Sequence, residues 1–387
     1  MDKARQAPPL ARLFGAFLRL GITSFGGPAM IAYIRKIAVE EKGWLDHESF
    51  QDGVALCQTI PGATAMQMAA YTGLKIRGAR GAVATYVGFA LPAFLLMLTL
   101  SFAYSRTHAL PAVVSAFSGL QAVIVSVVAN ATLSFGKTSL KNWKSAIVAL
   151  TAAGLFGLMA DPILIILLAA FLGVLLSGRG LAAHRPSRAT RIEYTTLPVF
   201  LLLSASAAGF VLLFFLGGDL LDLATLMVRI DLMAFGGGFA SVPLMFHEVV
   251  QVRSWMDAPT FLNGIILGQF TPGPIVITAA FVGYLVRGVA GAVVATIAIF
   301  LPSFVLVLGV APYFERMRTS PWFTGAVGGV LSSFVGLLLA VTVRFALNVH
   351  WDWRHLALGA GALVALLLEL DILWVVLAGT AISVLAF

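Results

Sequence analysis

Two arginines and two glutamines, each set beside glycine and proline, carry the chemistry of this sequence. Arg19 and Arg229 each stand six residues before a break in an apolar stretch, Phe25-Gly26-Gly27-Pro28 and Phe235-Gly236-Gly237-Gly238. Gln58 leads into Thr59-Ile60-Pro61-Gly62, and Gln269 into Phe270-Thr271-Pro272-Gly273-Pro274. Glycine and proline interrupt a helix by removing propensity or a backbone donor. A helix that begins in mid-membrane aims its free amides and positive end at an anion. Thr271 is placed to cap such a helix and Pro272 to take its first position, while Gln58 and Gln269 add amide donors. Two guanidinium forks, one from each arginine, suit opposite oxygens of a tetrahedral dianion. A plainer reading stands beside this one: the glycines permit close helix packing, the prolines kink, and the arginines snorkel to an interface.

Other polar residues divide between structure and chemistry. Arg77 and Arg287 stand at Arg-Gly turns, where they suit a structural role at a helix end. Asp46 and Asp257 follow Trp44-Leu45 and Trp255-Met256, with Ser49 and Thr260 three residues on, the pattern of helix N-caps. His247 and Glu248 align by this spacing with Ile37 and Ala38; they serve either a proton step or a solvated loop end. The sequence has no H-E-x-x-H, G-x-S-x-G or cysteine-based metal motif, and its single Cys57 excludes an internal disulfide. No catalytic residue, metal site or cofactor is expected.

The elements that position these residues come as a pair. After Arg19 the motifs run through Trp44, Gln58, Ala69-Ala70, Arg77-Gly78 and Leu91-Pro92-Ala93-Phe94; about 210 residues later they recur through Arg229, Trp255, Gln269, Ala279-Ala280, Arg287-Gly288 and Leu301-Pro302-Ser303-Phe304. A period this long means two domain-sized halves. With 60% apolar and 11% charged residues, the chain has too little polar surface for a water-soluble globule. Apolar runs of about 20 residues without dyad alternation predict membrane-spanning helices. The fold class expected is an all-α polytopic membrane protein of about thirteen segments, built from two inverted-topology repeats with broken helices. The halves are residues 1–178 and 219–387, joined by a basic linker and an unpaired helix over 179–218.

One unpaired helix between the copies turns the second upside down, and charge agrees. Lys75, Arg77 and Arg80, then Lys137, Lys141 and Lys144, then Arg179 to Arg191 mark one side, which the positive-inside rule makes cytoplasmic. The second copy replaces Lys75 by Leu285 and Arg80 by Ala290. Arg35, Lys36 and Lys42 dissent, because a simple crossing puts them outside. The net charge of +8 follows from orientation and implies no nucleic acid.

The Phe-Gly-Gly breaks, the glutamine and Pro-Gly motifs, the Arg-Gly-x-x-Gly turns and the duplicated layout together resemble the chromate ion transporter (CHR) family in its long two-domain form. The resemblance runs from about Leu13 to Phe387. It implies export of chromate, with sulfate as the look-alike ion, across the inner membrane, giving chromate resistance through proton-motive-force coupling or antiport. The substrate site is expected at the breaks, between halves that rock to alternate access. The N-terminus is expected in the cytoplasm and the C-terminus outside, with lipid as surroundings and a homodimer open. Two other classes stay open: a sulfate or other anion carrier or channel of the same architecture, and an intramembrane enzyme.

Overall fold

The structure, a computed structural model, describes residues 7–25, 29–176 and 197–387. Gly26, Gly27, Pro28 and the basic stretch from Arg179 to Arg191 lie outside the described residues. Every regular element among the described residues is helical. In the first copy these are α1 (Leu10–Thr23), α2 (Ala29–Arg35) with a π-helical continuation (Lys36–Glu41), α3 (His47–Thr59), α4 (Thr64–Thr107), α5 (Pro111–Ser139), α6 (Trp143–Gly157) and α7 (Pro162–Leu176). After α8 (Leu197–Leu216) the order repeats: α9 (Gly218–Met233), α10 (Ser241–Phe246) with a π-helical continuation (His247–Val252), α11 (Ala258–Phe270) and α12 (Thr278–Val310). The short α13 (Phe314–Arg318) follows, then α14 (Pro321–Asn348), α15 (Trp353–Leu367) and α16 (Ile372–Ala386).

The α4 helix is two arms. Arg77 (φ −141°, ψ 27°) and Gly78 (φ 61°, ψ −155°) leave helical geometry, and the chain doubles back so closely that Thr85 donates to the Ala69 carbonyl at 2.7 Å. Only glycine permits this approach: a Cβ at Gly73 would strike the Gly81 carbonyl. The same turn recurs at Arg287 and Gly288, where Gly283 meets Gly291.

The glutamine segments also double back. Gly53 of α3 lies against Tyr71 of the first α4 arm, and Gly264 of α11 against Phe281. In a continuous helix residues 53 and 71 would be about 27 Å apart. Lys75 lies over the Tyr71 ring and beside Asp46 and Asp52, so both ends of this hairpin share one face of the molecule. Each arm has about 13 residues and reaches about 20 Å, short of a ~30 Å hydrocarbon core. The two segments that carry the glutamine and Pro-Gly motifs are therefore re-entrant hairpins, and their tips are the Pro-Gly motifs.

The first broken segment shares that face. Arg77 Nη2 donates to the Ala7 carbonyl at 2.9 Å, fixing the start of α1 there, and a short link joins the end of the π-helical turn to Asp46. Arg287 repeats the arrangement by pairing with Asp219 at the start of α9. Arg35, Lys36 and Lys42 consequently lie with Lys75 and Arg77, which removes the dissent in the charge pattern.

The second copy is turned end for end. Arg318, just past the far end of α12, pairs with Asp52 of the first hairpin at 3.6 Å. Reciprocally, Asn263 of the second hairpin donates to Tyr104 near the far end of α4 at 3.1 Å. The copies also exchange partners: α14 packs on α6 and α7, and α5 on α15 and α16. Small residues allow these approaches, with Gly173 against Gly325 and Gly329, and Gly336 against Ala149.

Among the described residues, five helices are long and apolar enough to cross a membrane: the long arms within α4 and α12, together with α5, α8 and α14. The 15-residue helices α6, α7, α15 and α16 each reach about 22 Å. They pair as hairpins whose ends are tied, Lys144 to the Leu176 carbonyl and Arg354 to that of Ala386. The thirteen expected segments thus include several that reach only partway by length.

Candidate functional site

The two hairpin tips cross at the centre. The Gly62 amide donates to the carbonyl of Ala234, at the end of α9, at 2.7 Å; the Gly273 amide donates to that of Ser24, at the end of α1, at 2.9 Å. Each tip is therefore held by the opposite copy. Gly62 (φ 116°) and Gly273 (φ 115°) adopt the left-handed conformations that turn the chain. The expectation that these amides face an anion is corrected here: both are spent on protein carbonyls.

The glycine break of the second copy lies between the tips. Gly237 (φ 105°) faces the Thr64 hydroxyl at the start of the returning α4 arm, while Gly238 faces Ile275 and Val276 beyond the other tip. The first-turn amides at Thr64 have no helical partner. Gln269 is half-buried, and its Nε2 is unpartnered. Its counterpart Gln58 is exposed. Buried Ser24 Oγ and Gln67 Oε1 are also unpartnered, and Gln67 Nε2 donates to the Pro61 carbonyl. Polar atoms without partners inside apolar packing are uncommon and gather where something else binds.

Thr271 and Pro272 do not begin a helix as expected. The Thr271 hydroxyl donates back to Leu267 at 2.9 Å, and helical structure resumes only at Ile275. The turn consumes Pro272-Gly273, and Pro274 holds the chain extended before the next helix. By contrast, Asp46 and Asp257 cap as their spacing suggests, accepting from Ser49 and Thr260 at 2.7 and 2.9 Å.

The two arginines are unequal. Arg229 pairs with Asp161 at 3.4 Å and with Glu248 at 3.5 Å, whereas Arg19 is exposed and has no side-chain ion pair among the described residues. Each stands five residues, about 7.5 Å along its helix, before the crossing and approaches from the opposite face. His247 and Glu248 are buried rather than at a solvated loop end. Glu248 holds both Arg229 and Arg253, and His247 Nδ1 meets Gln251 Oε1 at 2.9 Å. Their register also shifts. Trp44 bonds to the Ala38 carbonyl and Trp255 to that of Val249, so His247 matches Lys36 and Glu248 matches Ile37. One added residue between Gly238 and His247 accounts for the offset.

Comparison with known proteins agrees with this double arrangement. The chromate transporter family model matches twice, over residues 11–174 and 221–384. A chromate transport protein of Cupriavidus metallidurans is 32% identical over 363 residues, 93% of this chain and 88% of that protein. This chain belongs to the chromate transporter family. An uncharacterized transporter of Methanocaldococcus jannaschii is 43% identical over 386 residues, 97% of this chain and 94% of that protein. A chromate transport protein of Pseudomonas aeruginosa is 31% identical over 88% of this chain and 82% of its own length. No solved structure matches. The family match omits α8, the helix without a counterpart in either copy.

One residue at the crossing of this chromate transporter family member escapes sequence reading. Asp231, 1% exposed, accepts from the Ser303 amide at 2.8 Å and the Ser303 hydroxyl at 2.7 Å. Its counterpart in the first copy is Gly21, so a search for agreement between copies passes over it. The available signal was a single carboxylate within the apolar stretch Leu226–Met233.

Proposed function

We propose that this protein is a secondary active transporter that exports chromate, and tetrahedral oxyanions of its kind such as sulfate, from the cytoplasm across the cell inner membrane. It would thereby confer chromate resistance. The observation that carries this reading is the crossing of the two Pro-Gly tips, each bound by a single backbone hydrogen bond to the opposite copy. Two inverted units that share a central contact of this kind can exchange its two sides by rocking, which is alternating access.

The substrate site lies beside the crossing, where Gly237 faces the Thr64 helix start and Gly238 faces Ile275 and Val276, with the unpartnered Gln269 amide as a further donor. In the first copy, Pro61 and Gly62 supply its other wall, with Gln58 toward the opening. Arg19 and Arg229 stand on the two approaches rather than at one point; Arg19 raises the local concentration of an anion on its side, while the charge of Arg229 is balanced by Asp161 and Glu248 until an anion competes for it. The face bearing Lys75, Arg77, Lys137 and Lys141 is cytoplasmic, which places the N-terminus inside and the C-terminus outside. The inside-negative potential then favours outward movement of a dianion by about 2.3 kcal/mol per charge per 100 mV.

The test is uptake and counterflow of labelled chromate and sulfate in proteoliposomes under imposed voltage and pH gradients. Saturable counterflow with mutual competition is expected. Voltage-driven flux without counterflow would make the protein a channel, and absence of flux of either ion would overturn the reading.

A further inference from the structure

Asp231 joins the two copies through a chain of three groups. Its Oδ2 accepts both the amide and the hydroxyl of Ser303, and Ser303 Oγ accepts the Ala63 amide at 3.2 Å, one residue beyond Gly62 at the first hairpin tip. Its Oδ1 is buried without any partner. No cation lies within ion-pair distance of it among the described residues. An ionised carboxylate in such a place loses its hydration with no charge to replace it. The first copy lacks the device: Gly21 and Ala93 stand where the second has Asp231 and Ser303.

The surroundings leave the charge uncompensated. Tyr86, from α4, is the titratable group facing it, and its hydroxyl is committed to the Phe300 carbonyl at 2.6 Å. The long arm of α12 and the whole of α8 carry no ionisable residue. Arg229, two residues earlier on α9, points away and is held by Asp161 and Glu248. His247 and Glu248, beyond α10, are engaged by Gln251 and by the two arginines.

We propose that Asp231 is a proton-binding site whose occupancy governs how firmly the first hairpin tip is held and how readily an oxyanion approaches it. Ionised, the carboxylate fixes the Ser303 hydroxyl with its oxygen toward Ala63 and repels an anion at the crossing. A proton taken up on Oδ1 removes the repulsion and weakens the hold on Ser303, and no other bond is made or broken. Proton and oxyanion therefore bind together. This rests on the transport reading above, and it moves the proton step from His247 and Glu248 to Asp231.

Oxyanion counterflow is measured against pH for the wild type, Asp231→Asn and Ser303→Ala, together with infrared spectra of each purified protein. Wild-type counterflow is expected to strengthen several-fold toward acid pH. Asp231→Asn should flatten that dependence, and Ser303→Ala, which installs the alanine that the first copy carries, should displace its midpoint. A protonated-carboxyl infrared band that titrates in wild type and is missing in Asp231→Asn supports the site even if no oxyanion is transported, a result that would sink the transport reading alone. Wild-type pH dependence in Asp231→Asn, or no titrating band assignable to it, overturns the proposal. If Asp231→Asn does not fold, an unshifted midpoint in Ser303→Ala does the same.

Discussion

The Gly62 amide reaches the Ala234 carbonyl across the two copies at 2.7 Å, in a conformation with φ 116° that an L side chain rarely adopts. A Cβ at Gly62 would fall on the Ser303 hydroxyl, the group that ties Asp231 to the tip. Gly62→Ala is expected to abolish counterflow and to lower the thermal midpoint through strain and collision together. Gly78→Ala, whose Cβ would meet open space but whose φ 61°, ψ −155° lies in a region nearly confined to glycine, should cost about 1–3 kcal/mol of backbone strain and retain transport. Equal losses in both would show that the crossing is not special.

Single-cysteine labelling separates a re-entrant first copy from one that crosses. Cys57 is fully buried and contributes little background. Cysteines at Glu41 and Lys141 are expected to react from one side of sealed vesicles and a cysteine at Arg106 from the other. Labelling of position 41 together with position 106 would refute the hairpin.

The unequal arginines should respond unequally. Arg229→Gln leaves Asp161 without its arginine and Glu248 with Arg253 alone, so transport should fall about tenfold or more, equivalent to about 1.4 kcal/mol. Arg19→Gln breaks no ion pair and should chiefly raise the oxyanion concentration needed for half-maximal rate. Unchanged transport in Arg229→Gln would remove that residue from the anion path.

The Asp46 cap gives a pH-dependent stability outside the membrane. The Ser49 amide at 2.7 Å holds its carboxyl below the ordinary value of 3.8. A lowered value means that the cap contributes fully above the ordinary aspartate range and is lost as pH falls through the folded value. Asp46→Ala should cost about 1 kcal/mol at neutral pH. Thermal melts of the mutant and wild type should converge in acid.

Much of this architecture is legible in the residues, because glycine, proline and capping patterns are local. The repeat, the broken segments, the Asp46 and Asp257 caps and the Arg-Gly turns all follow from short spacing. The hairpins do not, because an apolar stretch of 23 residues broken by Pro-Gly reads equally as a kinked crossing and as two arms. Only the contacts of Gly53 with Tyr71 and of Gly264 with Phe281 separate the two. Asp231 was hidden for another reason: its role rests on a residue 72 positions away in sequence and on the first hairpin tip. The other copy, with Gly21 in its place, carries no parallel to draw attention to it.

From Leu197 to Phe215 the helix α8 has no buried residue, and its main packing is against α9 and α12. Neither crossed tip bond nor any exchanged helix pair depends on it. A lone crossing at this point is enough to set which way round a second copy is threaded, and a helix so exposed adds little to holding the finished halves together. A gene severed between Leu176 and Leu197 should therefore still yield a working protein from two polypeptides, provided the second fragment keeps α8 or gains another signal that sends Asp219 and Asp222 outward.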